Sequence, residues 1–180
     1  MSVSRDALLR AAAEFLGRRP NATQDEIASA VGVSRATLHR HFAGRLALMT
    51  ALEELAISEM REVLKTVRPH EGSASDALHR LVSACRPVAP CLALLYSQTQ
   101  DLDMDNTLEV WEEIDSAITA LFLRGQRTGE FRPDLTAAWL TEAFYSLVSS
   151  TAWAIRAGRL ADRDFDRHIT DLMLEGVRNP

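Results

Sequence analysis

Apolar residues recur at three- and four-residue intervals along almost all of this 180-residue chain, and there is no sustained run at intervals of two. That spacing lines one face of an α-helix, whereas a half-buried strand needs alternation. No Asn-Gly or Asp-Gly pair marks a hairpin. The chain therefore reads as all-α, with about nine helices. Ser4 caps a first helix whose apolar face is Leu8, Ala12 and Phe15, closing near Gly17. Thr23 caps a second and Ser34 a short third, with Gly32 between them. A longer helix runs from about Gly44 to Val67, Pro69 to Ser75 forms a loop, and Pro87 and Pro90 punctuate the next helical segment. An acidic connector, 101–106, precedes a long helix from Thr107 to Arg127. The turn Thr128 to Asp134, an apolar helix from Thr136 broken at Gly158, and a last helix from about Arg163 to Val177 complete the chain.

Hydrophobic residues at 47% and charged residues at 25% are the balance of a folded globular chain, not of a disordered or collagen-like one. The net charge of −5 is unevenly spread. Residues 1–50 carry seven arginines against four acids, and residues 51–180 thirteen basic against twenty-one acidic groups. The small N-terminal part is thus the surface for a polyanion. Cys85 and Cys91 match no redox or zinc spacing and read as small core residues. No apolar core of a signal peptide occupies the first fifteen residues, so a cytoplasmic protein is expected. Ala137 to Ile155 is long and apolar, but Glu142, Tyr145 and several hydroxyls favour a helix buried on several sides over a membrane span.

Thr23 to Arg45 is the informative segment. Glu26 follows Thr23 by three residues, a capping box, and Ala22 and Ile27 are placed as a hydrophobic staple. The link Val31-Gly32-Val33-Ser34 admits only a tight turn, and Gly32 suits a left-handed residue at a helix end. Ala28 keeps the two helices close, while Ile27, Val31, Val33 and Leu38 point inward. This is the register of a DNA-binding helix-turn-helix. The outer face of its second helix carries Arg35, Thr37, His39 and Arg40. Arginine can fork onto guanine, threonine offers a hydroxyl and a methyl, and histidine or arginine can reach phosphates.

From Thr23 through His41-Phe42-Ala43-Gly44-Arg45 the chain resembles the N-terminal signature of the TetR family of bacterial repressors. Total length, helical order and the turn Gly129-Glu130-Phe131-Arg132-Pro133-Asp134 extend the resemblance. Two departures stand out: His39 where members usually carry Tyr, and Arg45-Leu46 where they carry Lys and an acid. The resemblance implies a helix-turn-helix domain over 1–44 and a ligand-sensing and dimerising domain over 45–180. It also implies a homodimer that reads a pseudo-palindromic double-stranded operator and is released by a small-molecule effector. Control by a protein partner, or no control, is the alternative. Thr23, Ser34, Arg35, Thr37, His39, Arg40 and Arg45 form the candidate DNA-binding set. In it Arg35, Thr37 and Arg40 face the major groove, Thr23 offers a hydroxyl at a helix N-terminus, and His39 and Arg45 hold the backbone. A neutral His39 would hold a phosphate less well than a protonated one, which opens pH-sensitive binding.

For the larger part, the helix from Thr136 to Arg156 has apolar residues all round and needs partners on more than one side. Tyr145, Ser149, Ala152 and Trp153, with Phe165, Ile169 and Leu172 of the last helix, are the candidate dimer interface. Met60, Tyr96, Trp111, Phe122 and Phe144 are the candidate lining of a pocket for a mainly apolar effector. Oxygen ligands at positions 1, 3, 5, 9 and 12 of Asp101 to Glu112 approach a calcium loop, but read better as acids at the positive end of the following helix. His70, Glu71, His79 and Cys85 lack metal-ligand spacing, and no cofactor is implied. No nucleophile elbow, phosphate loop or zinc-protease motif supports an enzyme.

Overall fold

The computed structural model describes residues 4–98 and 104–178, with backbone alone at 97, 98 and 104–110. Among the described residues there are nine α-helices: α1 (Arg5–Arg18), α2 (Gln24–Ala30), α3 (Arg35–His41), α4 (Arg45–Val67), α5 (Ala74–Cys85), α6 (Ala89–Gln98), α7 (Met104–Arg127), α8 (Ala137–Arg156) and α9 (Phe165–Val177). A 3₁₀ turn, Asp162–Asp164, leads into α9. Among the described residues there is no strand, only an isolated antiparallel bridge between Phe131 and Arg178.

Local chemistry sets most helix starts. Ser4, Thr23, Ser34, Ser73 and Thr136 sit in extended conformation, and each side chain accepts the backbone N–H of the third residue of its helix. Two differences from the sequence expectation concern α7 and α8. α7 begins at Met104, inside the stretch expected as a connector. α8 is not buried all round: Leu140, Phe144, Val148 and Ala152 pack inward, while Trp139 and Trp153 are exposed. The Asp101–Glu112 loop considered for calcium lies largely outside the described residues. Among those described, no single helix is long and apolar enough to cross a membrane.

The core has two parts. One joins α1, α2, α3 and the first half of α4, through Ala56, with Cys91, Leu94 and Leu95 of α6. The other begins at Ile57 on α4 and takes in α5, α7, α8 and α9 with the rest of α6. α4 runs unbroken through both, and the partly buried Trp111 of α7 packs against both. Arg10 of α1 pairs with Glu59 of α4 across the junction. At the end of α8, the Arg156 guanidinium lies against Gly17 of α1 and donates to the Pro90 carbonyl at 3.4 Å, so a side chain at residue 17 would have to displace it.

The turn after α7 is tied to α7 itself and to α5. Phe131 is wholly buried, and its ring takes the space of a Cβ on Gly125, where a methyl group would lie 2.1 Å from ring carbon. The neighbouring Glu130 accepts the N–H groups of Ala74 and Ser75 at 2.9 and 3.0 Å and so caps α5. Arg124 of α7 donates to the carbonyls of Pro69 and Gly72 at 2.8 and 2.6 Å, holding the loop before α5.

Candidate nucleic-acid interface

α2 and α3 are fixed to each other mainly by backbone chemistry. Thr23 and Glu26 close a reciprocal capping box: the Thr23 N–H donates to the Glu26 carboxylate at 2.7 Å, and the Glu26 N–H to the Thr23 hydroxyl at 3.3 Å. These backbone and hydroxyl hydrogen bonds hold the Glu26 carboxyl below its ordinary range. At the far end of α2, Gly32 is left-handed at φ 74°. Its N–H donates to Ser29 and that of Val33 to Ala28, the paired bonds of a Schellman ending. Ile27, Ala28 and Leu38 are buried where the two helices meet. The turn aims α3 outward with one face in the core and the other in solvent.

That outer face holds Arg35, His39 and Arg40, all exposed, and the half-buried Thr37. Ser34 caps α3 through the Thr37 N–H at 3.1 Å, and its hydroxyl also meets that of Thr37 at 2.9 Å. Arg35 is paired with Asp25 of α2 at 2.9 Å through one guanidinium nitrogen, an exposed and therefore weak bridge. Arg40 reaches the Thr37 hydroxyl only at 3.5 Å, the outer limit of a hydrogen bond. Thr23 is exposed, but its hydroxyl is engaged with Glu26.

Arg45 is placed differently from a side chain reaching out to a phosphate. It is half-buried, and its guanidinium donates to the carbonyls of Pro20 at 2.5 Å and Ala22 at 3.3 Å. It holds the loop that delivers Thr23 to the start of α2. These carbonyls end the α1–α2 loop and face inward, and a guanidinium can satisfy both from one position. Arg5 adds a brace from α1, stacking over the buried Phe42 ring at 5.3 Å.

The residues expected around a pocket separate in the fold. Met60, Phe122 and Phe144 are wholly buried core residues, because each lies on the face of its helix that packs against a neighbour. Tyr96 is half exposed with its hydroxyl 3.0 Å from that of Ser146. Trp111 donates its indole N–H to Glu53 of α4 at 3.2 Å. The expected dimer residues divide in the same way. Ser149, Ala152, Phe165 and Ile169 are buried within the chain itself, since the apolar face of α9 is already spent on α5 and α8. Trp153 and Leu172 point outward at 49% and 61% exposure. Tyr145 turns inward and donates its hydroxyl to Asp115 of α7 at 2.7 Å.

Asp115 is the residue that sequence reading passes over. It is half-buried, and burial pushes its carboxyl up while the Tyr145 hydrogen bond draws it down, with burial prevailing. Its position four residues after Trp111, hence on the same side of α7, is the available signal. His70 and Glu71 lie on an exposed loop 3.9 Å apart, while Cys85 is buried beside Met60. Burial pushes the Cys85 and Cys91 thiols up to about 12, which leaves both as inert core groups.

A family model described as bacterial regulatory proteins, tetR family, matches residues 8–52. The chain is 34% identical over 177 residues to the HTH-type transcriptional regulator NfxB of Pseudomonas aeruginosa, covering 97% of this chain and 95% of that protein. It is 28% identical to the HTH-type transcriptional repressor LfrR of Mycolicibacterium smegmatis, over 94% of this chain and 88% of LfrR. The crystal structure of LfrR in complex with proflavine superposes with a TM-score of 0.76 at 25% identity, covering 96% and 92% of the two chains.

Proposed function

Because the chain belongs to the tetR family of bacterial regulatory proteins and is a DNA-binding transcriptional regulator, we propose that it works as a homodimeric repressor released from a pseudo-palindromic operator by a small molecule. Residues 1–44 form the DNA-reading unit and 45–180 the sensing and dimerising one. In this reading Arg35, Thr37 and Arg40 meet base edges, and His39 a phosphate. Thr23, Ser34 and Arg45 position the two helices from behind. The site of action is the bacterial cytoplasm, where the operator lies.

The observation that carries the dimer is the apolar face left on α8 and α9. Trp153 and Leu172, with Leu147 and Leu160, line a shallow groove of about 860 Å³. Arg159, Arg167 and His168 stand along it together with Asp171 and Glu175, and Arg159 stacks over Trp153 at 4.7 Å. A patch that carries both signs around an apolar centre suits a second copy related by a twofold axis, each basic group meeting the other copy's acid. Such a dimer presents two α3 helices to half-sites roughly 34–36 Å apart, one turn of DNA. The proflavine complex of LfrR supports a small-molecule effector for this chain as well.

Sedimentation of the free protein tests the dimer. Particles of two 20.0 kDa chains are expected, and the double substitution Trp153→Glu, Leu172→Glu should give monomers of unchanged helical content. A wild-type monomer at micromolar concentration, or a variant that stays dimeric, contradicts this interface.

A further inference from the structure

Partly buried carboxylates in this protein are mostly compensated. Glu59 pairs with Arg10, Asp164 with Arg167 and Asp166 with Arg86, and Glu130 receives two backbone N–H groups. Glu53 and Asp115 are the exception. Both are half-buried, and among the described residues neither is in an ion pair. The hydrogen bonds they receive come from neutral aromatic donors, the Trp111 indole at 3.2 Å and the Tyr145 hydroxyl at 2.7 Å. The two donors touch each other, with Trp111 and Tyr145 ring centroids 6.4 Å apart in an edge arrangement and Phe144 a further 5.7 Å from Tyr145. Four side chains from α4, α7 and α8 thus form one assembly at the seam where the two cores meet.

Its electrostatics have one sign. A carboxylate withdrawn from water without a cation is costly, and aromatic faces add negative potential. Anions are repelled, and an uncharged apolar molecule would leave the carboxylates unpaired in a drier setting. A cation gains from both carboxylates and, if it has an aromatic body, from stacking against Trp111 and Tyr145. We propose that Glu53, Trp111, Asp115 and Tyr145 form the effector site, and that it takes an organic cation with an aromatic body. This rests on the ligand-responsive reading above, and replaces the mainly apolar effector expected from sequence. Because Glu53 belongs to α4, whose first half packs on the helix-turn-helix, the site lies one helix from the DNA-reading unit.

Calorimetric titration of proflavine, a planar aromatic cation, into the full chain without DNA tests this; DNA is left out because it takes up planar cations itself. Asp115→Asn and Glu53→Gln keep an oxygen to accept the Tyr145 and Trp111 hydrogen bonds, so fold and packing should survive, as circular dichroism would verify. Proflavine is expected to bind the wild type, and at least tenfold more weakly each variant. Acridone, of the same shape but uncharged, should bind more weakly than proflavine and equally to all three proteins. Equal proflavine affinity in the three proteins, or none for the wild type, overturns the cation site. Operator release by an uncharged compound, with proflavine unbound, would overturn the cation and leave the ligand-responsive regulator standing. Tight, carboxylate-dependent proflavine binding with no release of operator by tetraphenylphosphonium, an aromatic cation that does not intercalate, would uphold the site and count against the regulatory reading.

Discussion

Arg40 and Arg35 share one face of α3 but begin from different states. In the proposed reading Arg35 approaches DNA with one guanidinium nitrogen already on Asp25, whereas Arg40 gives up only its 3.5 Å contact with Thr37. Arg40→Ala should therefore weaken specific binding by about 1–3 kcal/mol and relax preference at one position per half-site. Fluorescence anisotropy on operator and scrambled duplexes measures both, and equal losses on the two would make Arg40 a phosphate contact. At Asp115 the prediction concerns pH. Burial raises its carboxyl, so it takes up a proton at higher pH than an ordinary aspartate. A cation binds the ionised form, so affinity is full above the raised value and is lost as pH falls through it. The same shift makes acidification through that window stabilising for the folded chain, because there the native state holds the extra proton. Tyr145 on α8 is the group that faces it directly; Glu142 on α8 and Cys85 on α5 act on Tyr145 in turn, and Glu53 on α4 is bonded to Trp111. Proflavine titrations from neutral to acidic pH check this, and Asp115→Asn should flatten the profile.

Helix ends and turns are where this fold is most exposed to single changes. Gly125→Ala would place a methyl group inside the Phe131 ring, and both are wholly enclosed. Overpacking of this kind costs about 1–3 kcal/mol or more, and a fall in melting temperature of roughly 2–4 °C per kcal/mol is expected for a chain of this size. Glu130→Ala removes the acceptor of the first two N–H groups of α5 and leaves the Ser73 cap, with a loss of about 0.5–2 kcal/mol. Burial acts to raise the Glu130 carboxyl, but the N–H groups of Ala74 and Ser75 and the Thr128 hydroxyl outweigh it and leave it below the ordinary range. Its stabilisation is thus present above the ordinary carboxyl value and lost as pH falls through the lowered one. Thermal melts of the two variants at neutral and acidic pH should separate the effects: the deficit of Glu130→Ala shrinks in acid and that of Gly125→Ala does not.

Interactions of short sequence separation are legible in the chain itself, and those of long separation are not. The capping box at Thr23, the left-handed Gly32 and the serine caps of α1 and α3 are written within three or four residues, and the helices form there. Arg45 can be read as charged but not as turned inward, because the carbonyls it satisfies lie 23 and 25 residues earlier. Tyr145 can be read as an amphipathic aromatic, but its acceptor lies 30 residues away on another helix. For α9 the apolar stripe is visible, while its occupation by α5 and α8, which leaves only Leu172 of the expected set outward, depends on the assembled core.

At the scale of the whole molecule, two cores share one helix. α4 leaves the helix-turn-helix and passes without a break into the second core, and Trp111 touches both. In the proposed reading a change at Glu53 or Trp111 would pass along α4 toward the helix-turn-helix, while α8 and α9 would keep the face offered to a second copy. DNA reading, effector response and pairing would then use different surfaces of a single chain. The most direct test begins with selection of bound duplexes from random DNA by the full-length protein near physiological salt. The selected duplex is then titrated by anisotropy, with sedimentation to count chains. An enriched sequence with twofold symmetry, bound by two chains and preferred over scrambled DNA, is the expected result. No enriched sequence, or one chain on an asymmetric site, would contradict a dimeric operator-reading regulator.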